Sequence, residues 1–300
     1  MHEPNAAAKS FVLLGIITLA ASFTPIFARI AVSEISPLSL GFLRFGLAAV
    51  LFCIASIIRK SSLVFEKKDY LKLILLGALG IPINQYFFLT GIHLSYASHS
   101  GIIYSLNPVF AYIVAVLRKH EKFYLSKIFA ILLTVAGIFM VFYESITSNT
   151  DNGSVLKGDI LLVLAVLSFS LYISLGKEFI DKYGALKVTT FAFLAGSLLD
   201  VPVFVYDIHN LNMTKISPLG IFSYLYLAIV ISFIAYFTWY YVLKTIKISM
   251  LTTVSNLSPI LTVLLSVILL HEKISLYFVI GGIVTVIGVM VMHKVSLELA

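Results

Sequence analysis

The chain has little cysteine and little charge. Its 300 residues include one cysteine, Cys53, so no internal disulfide framework exists and a cysteine-rich metal site is disfavoured. Cys53 lies in an apolar run and reads as a small buried hydrophobe. Charged residues make up only 12% of the chain, about half the ~25% usual for a soluble domain. With 60% hydrophobic residues, the chain has too little polar surface to cover an aqueous globule, and lipid is the obvious second solvent. H-E-x-x-H, G-x-S-x-G and paired intramembrane aspartates are all missing, which argues against an enzyme. A charge ring or repeated carbonyl-filter motif, as in a channel, is also missing.

What remains is long apolar runs. A bilayer-crossing helix needs ~20 apolar residues. The chain supplies ten such runs, at roughly 10–32, 38–58, 71–91, 97–117, 125–143, 158–176, 186–206, 219–242, 248–270 and 275–293. The expected fold is an all-α integral membrane protein of ten transmembrane helices. The first run is longer than a signal-peptide core and shows no clear cleavage site. With the N-terminus in the cytoplasm, sixteen Lys and Arg residues fall on the cytoplasmic side and three outside, namely Lys157, Lys215 and Lys273. This positive-inside bias puts both termini in the cytoplasm. It also accounts for the net charge of +7 as a topology signal, so no nucleic-acid partner is expected. The polar segment 144–157 reads as an external linker between halves at 10–143 and 158–293.

The halves carry a repeated cassette. Pro108, Glu121 and Gly137 recur at the same offset as Pro259, Glu272 and Gly288. Ser98 matches Ser249, His120-Glu121-Lys122 matches His271-Glu272-Lys273, and Thr134-Val135 matches Thr285-Val286. Each half has five spans, an odd number, so the two repeats are inverted with respect to the membrane. Glu121 and Glu272 then lie on opposite faces, roughly 30 Å apart, too far to share a metal ion. Each Glu is expected to cap the span that follows it. Gly137 and Gly288 sit mid-span, where small residues allow close helix packing.

The first half also contains Pro37-x6-Arg44-Phe45, then Gly46-Leu47-Ala48-Ala49, and Asn84-Gln85-Tyr86-Phe87 before Gly91. With the cassette, these residues make the chain similar to the drug/metabolite transporter superfamily, in its ten-span EamA family. The resemblance covers 10–143 and 158–293. It implies an inner-membrane permease without an ATP-binding domain, working by alternating access and commonly exporting amino acids or related small metabolites. The second half departs from the pattern, with Thr190 in the place of Arg44 and Leu251 in that of Ser100.

Polar residues inside spans mark the expected substrate site at the interface between halves. Ser100, Tyr104 and Asn107 share one face of the fourth span, bordered by His99. The ninth span offers Asn256 and neighbouring hydroxyls. Asn84, Gln85 and Tyr86 sit mid-span in the third. Tyr236 and Tyr240 are candidate cavity walls, beside Trp239 as an interfacial anchor. His99 has the ordinary chemistry of a proton-linked switch. Asp200, read as the lone aspartate within a span, and Arg44 are candidates for coupling or charge recognition. Pro108 and Pro259 are expected to bend the fourth and ninth spans as gates. No cofactor and no metal are expected. The partners are a small-molecule substrate and the lipid bilayer, in a monomer or homodimer. Efflux of cationic drugs or amines is the rival within transport. A membrane scaffold and an intramembrane enzyme are rivals of another class.

Overall fold

The computed structural model describes residues 4–119, 121–147, 153–238 and 257–298, and every regular element among them is helical. Among the described residues nine helices are long and apolar enough to cross a membrane: α1 (Ser10–Val32), α2 (Pro37–Ile58), α3 (Lys67–Leu94), α4 (Ala97–Leu117), α5 (Leu125–Ile146), α6 (Ser154–Tyr183), α7 (Ala185–Asn210), α8 (Pro218–Thr238) and α10 (Leu276–Val295). The apolar helix Leu257–Leu270 is α9; the rest of the ninth expected span, 248–256, lies outside the described residues. The solvent pattern is that of a membrane protein. Ile57, Leu117, Phe129, Leu132 and Phe139 are exposed, while Arg44, Asn84, Gln85, Thr134, Asp159 and Thr285 are buried.

Packing between α5 and α10 shows how the halves are related. A Cβ on Gly137 would lie 2.5 Å from the Gly281 carbonyl oxygen and 2.6 Å from Thr285 N. A Cβ on Gly288 would lie 2.6 Å from Thr134 N and 3.0 Å from the Ala130 carbonyl oxygen. Gly288, Thr285 and Gly281 are the repeat equivalents of Gly137, Thr134 and Ala130. Each residue therefore meets the copy of its partner, and numbering rises along α5 as it falls along α10. A two-fold axis that swaps antiparallel helices is perpendicular to both. For helices crossing a bilayer, that axis lies in the membrane plane, which is the geometry of inverted repeats. The hydroxyls follow the same symmetry, since Thr134 Oγ1 donates to Ala130 O and Thr285 Oγ1 to Gly281 O, both at 2.8 Å. Other contacts exchange likewise: α3 packs on α6 as α8 packs on α1, and α4 lies against α6 as α9 lies against α1.

Proline and its neighbours interrupt several spans. α1 breaks at Phe23, just before Pro25, and Thr262 of α9 donates to the Ser22 carbonyl there at 3.0 Å. α3 loosens into a π-helical stretch at Leu79–Ile83, around Pro82. Ser168 of α6 donates to the Leu79 carbonyl at 2.7 Å, satisfying backbone in the loosened turn. α4 tightens into a 3₁₀ turn at Tyr104–Leu106, immediately before Asn107 and Pro108. Pro202, by contrast, lies within an unbroken helix from Ala185 to Asp207. Pro259 stands near the start of the described part of α9; the stretch before it lies outside the described residues.

The two ends of the bundle are fastened differently. At the end carrying the inter-half linker, Glu272 accepts from the backbone amides of Ala97 at 2.8 Å and Ser98 at 2.9 Å. Its role thus differs from the expected one, because it caps α4 in the other half instead of the helix that follows it. The helix that follows is served by Ser275 instead, whose Oγ accepts from Phe278 N at 3.1 Å. Glu34 accepts from Ser217 N and Oγ, both at 2.7 Å, at the start of α8. Asp207 accepts from Ser39 N at 3.1 Å and from the Ser36 and Ser39 hydroxyls. At the opposite, basic end, lysines and arginines predominate. Lys182 bridges Glu66 at 2.6 Å and Asp69 at 2.8 Å, Arg118 meets Glu178 at 2.6 Å, and Lys127 meets Glu121 at 3.1 Å.

Candidate functional site

The loosened turn of α3 delivers Asn84 and Gln85 into the bundle. Both are buried. Asn84 Nδ2 donates to the Ala165 carbonyl of α6 at 2.8 Å, and Gln85 Nε2 donates to Asn84 Oδ1 at 2.7 Å. That leaves Gln85 Oε1 as an acceptor, and Arg44 Nη1 of α2 donates to it at 3.2 Å. Arg44 Nε donates to Ser232 Oγ of α8 at 2.8 Å. Its guanidinium carbon stands 5.0 Å from the Phe45 ring centroid. Tyr104 packs edge-on to Phe88 at 5.7 Å between centroids and Tyr236 edge-on to Phe193 at 5.3 Å, both near enough for the phenols to act electrostatically on the guanidinium. Side chains from α2, α3, α4 and α8 thus converge on one buried cation.

Arg44 is only 4% exposed. It neither snorkels outward nor pairs with a carboxylate among the described residues. A guanidinium has five N–H donors in a planar fork. Two are used, on Ser232 and Gln85, and those on Nη2 have no hydrogen-bond partner among the described residues. Burying a charge is costly unless something compensates it. The neutral amides and phenols around Arg44 solvate the charge without cancelling it. A guanidinium fork of this kind has the geometry to take an anionic oxygen pair bidentately.

The other sequence candidates divide into separate places. Asn107 follows the 3₁₀ turn of α4 and accepts from Ser170 Oγ of α6 at 2.6 Å. Tyr86 faces away from Arg44, is 48% exposed and lines an outer groove with Pro37, Gly41, Phe87 and Asp200. His99 lies apart from the cluster. Its Nδ1 stands 3.0 Å from Asp159 Oδ2, and its ring stacks on Phe278 of α10 at 5.2 Å between centroids. Asp159 is fully buried within α6 and also accepts from the Ser95 hydroxyl and from Ser145 at 2.5 Å. Asp200 is therefore not the lone intramembrane aspartate. The acid in the otherwise apolar opening of the sixth span was the signal for Asp159. Ser232 and Ser170 carried no such signal, because serines are common in apolar helices. Tyr240 and Asn256 lie outside the described residues. Among the described residues, no group of three or more His, Cys, Asp and Glu side chains is arranged to hold a metal.

A ten-helix bundle of two inverted repeats, closing around a buried polar cluster, defines a class of membrane transporter. The sequence pattern of the EamA-like transporter family matches residues 9–143 and 156–293, and the chain belongs to that family. It is 25% identical over 281 residues to an uncharacterized transporter of Archaeoglobus fulgidus, covering 94% of this chain and 96% of that one. It is 26% identical over 268 residues to the uncharacterized transporter YyaM of Bacillus subtilis, covering 88% and 86%. A WAT1-related protein of Arabidopsis thaliana is 27% identical over 252 residues, covering 73% and 63%. A crystal structure of a protein 17% identical in sequence superposes with a TM-score of 0.66, covering 97% of this chain and 99% of that one; at that identity it speaks for the fold alone.

Proposed function

We propose that the chain is a secondary transporter of small polar metabolites that carry a carboxylate, amino acids foremost. It would export them across the cytoplasmic membrane by alternating access between the two inverted halves, with both termini inside. The observation that carries the substrate class is Arg44, a buried guanidinium whose Nη2 has no hydrogen-bond partner and which pairs with no carboxylate among the described residues. A carboxylate fits its fork, and Asn84, Gln85, Tyr104 and Tyr236 supply donors and acceptors for the rest of a small zwitterion. Asn107 extends the polar surface along α4, and Asn256 and Tyr240 are the candidates from the second half of the sequence. Pro108 and Pro259 sit where the fourth and ninth helices would bend between inward and outward states. In this reading His99, joined to Asp159, is the candidate proton-linked group.

The test is counterflow in proteoliposomes across a panel of amino acids, their methyl esters and simple amines. Free amino acids should exchange and their esters should not. Equal exchange of acid and ester would remove Arg44 as the carboxylate site. No exchange across the panel would remove the substrate class.

A further inference from the structure

A second site lies at the edge of this cluster. Between α2, α3 and α7 a groove of about 280 Å³ is lined by Gly41, Pro82, Gln85, Tyr86, Phe87 and Asp200, among others. Asp200 is 5% exposed, and its carboxylate makes no hydrogen bond or ion pair among the described residues. It borders the groove, and the missing side chain of Gly41 leaves room there. A Cβ at Gly41 would stand 3.7 Å from Asp200 Oδ2 and 3.4 Å from Gln85 Cβ. The remaining walls are apolar or aromatic, and the half-exposed Tyr86 marks the mouth on the membrane side. An unpaired carboxylate at the bottom of an apolar groove calls for a cation with an apolar body. Tyr86 and Phe87 add ring faces suited to a quaternary nitrogen.

We infer that the groove beside Asp200 binds a hydrophobic ammonium ion that enters laterally from the bilayer. The carboxylate supplies the counter-charge, the empty space at Gly41 admits the alkyl groups, and the aromatic pair covers the rest. A lipid headgroup is a second source of ammonium. Asp200 is seven residues before Asp207, the last residue of that α-helix. At 1.5 Å per residue it lies about 10 Å inward from there, deeper than a headgroup ammonium sits. Gln85 borders both this groove and the Arg44 cluster, but the test reads ammonium binding at Asp200 and does not depend on carboxylate exchange at Arg44.

The full-length protein is placed in nanodiscs of phosphatidylglycerol. Binding of benzyltriethylammonium is measured by equilibrium dialysis, with an uncharged alkylbenzene of the same size as competitor. Asp200→Asn is expected to weaken binding tenfold or more, the range of a charge-assisted contact. Asp200→Glu should keep most of it, and Gly41→Val should weaken it with the carboxylate intact. Discs containing phosphatidylethanolamine should leave the affinity unchanged. Unaltered binding in Asp200→Asn, or equal competition by the uncharged analogue, overturns the site. Competition by phosphatidylethanolamine overturns the assignment to a free ammonium in favour of the lipid headgroup.

Discussion

In the first half of the chain, α2 carries Arg44, buried and with N–H groups unpaired among the described residues. In the second half a rough alignment of the repeats puts Thr190 of α7 in that place. Its hydroxyl is satisfied locally, 2.8 Å from Ser56 Oγ and 2.7 Å from the Leu186 carbonyl. The α5–α10 pair behaves in the opposite way, because there both copies keep the same glycine and threonine and meet each other's equivalents. Residues that obey the repeat build the scaffold, where symmetry makes one solution serve twice. Arg44 departs from it, and that departure puts a buried charge in one half alone.

The largest effect expected from breaking the symmetric part is at the glycines. Gly137→Leu and Gly288→Leu each press a side chain into backbone of the facing helix, so each should cost at least about 3 kcal/mol, the upper range for overpacking. Thermal unfolding in detergent should show two losses of similar size, and a large inequality would undo the two-fold pairing. Next comes the asymmetric part. Arg44→Gln should lower amino-acid exchange roughly ten- to a hundredfold while leaving the melting temperature near that of the wild type. Thr190→Val should leave exchange within about twofold, since losing one modest hydrogen bond is a small effect. A transport defect of equal depth at Thr190 would erase the contrast between the halves.

Smaller effects compare the two cassette carboxylates. Glu272→Gln removes the charged acceptor of two α4 amides and should cost about 1–2 kcal/mol, the range for helix capping. Glu121 is half exposed and pairs with Lys127, so Glu121→Gln should cost less than about 1 kcal/mol. The smallest change is expected at the exposed basic end. There the hydrogen bonds from Lys182 and then Lys68 hold the Glu66 carboxyl below its ordinary range. A carboxyl depressed in the folded state contributes stability above its unfolded pKa of about 4.3. That contribution is lost as pH falls through the lower folded value. Lys182→Ala should therefore shift the melting temperature slightly at neutral pH and not at all in strong acid.

Much of this architecture was legible in the sequence. The apolar runs located the helices, and the repeated Pro, Glu and Gly positions revealed the inversion before any packing was visible. Arg44 and the Asn84-Gln85 pair stood out because such groups are costly in lipid. Helix rotation was not legible. Successive residues on a helix point about 100° apart, so Gln85 is buried while Tyr86 beside it is half exposed, and the π-helical turn before them shifts the register again. The partner of Glu272 was hidden for another reason: a carboxylate near one helix start is also near others once the chain is folded, and capping follows distance in space.

The α5–α10 contact has one further consequence. It is a homodimer contact made within a single chain, and it would hold two identical half-length copies as well as it holds two joined ones. Identical copies would be obliged to present a guanidinium twice, once on each side of the axis. Joining them frees each copy to change alone. A single buried arginine at position 44 is an asymmetry open only to a duplicated chain.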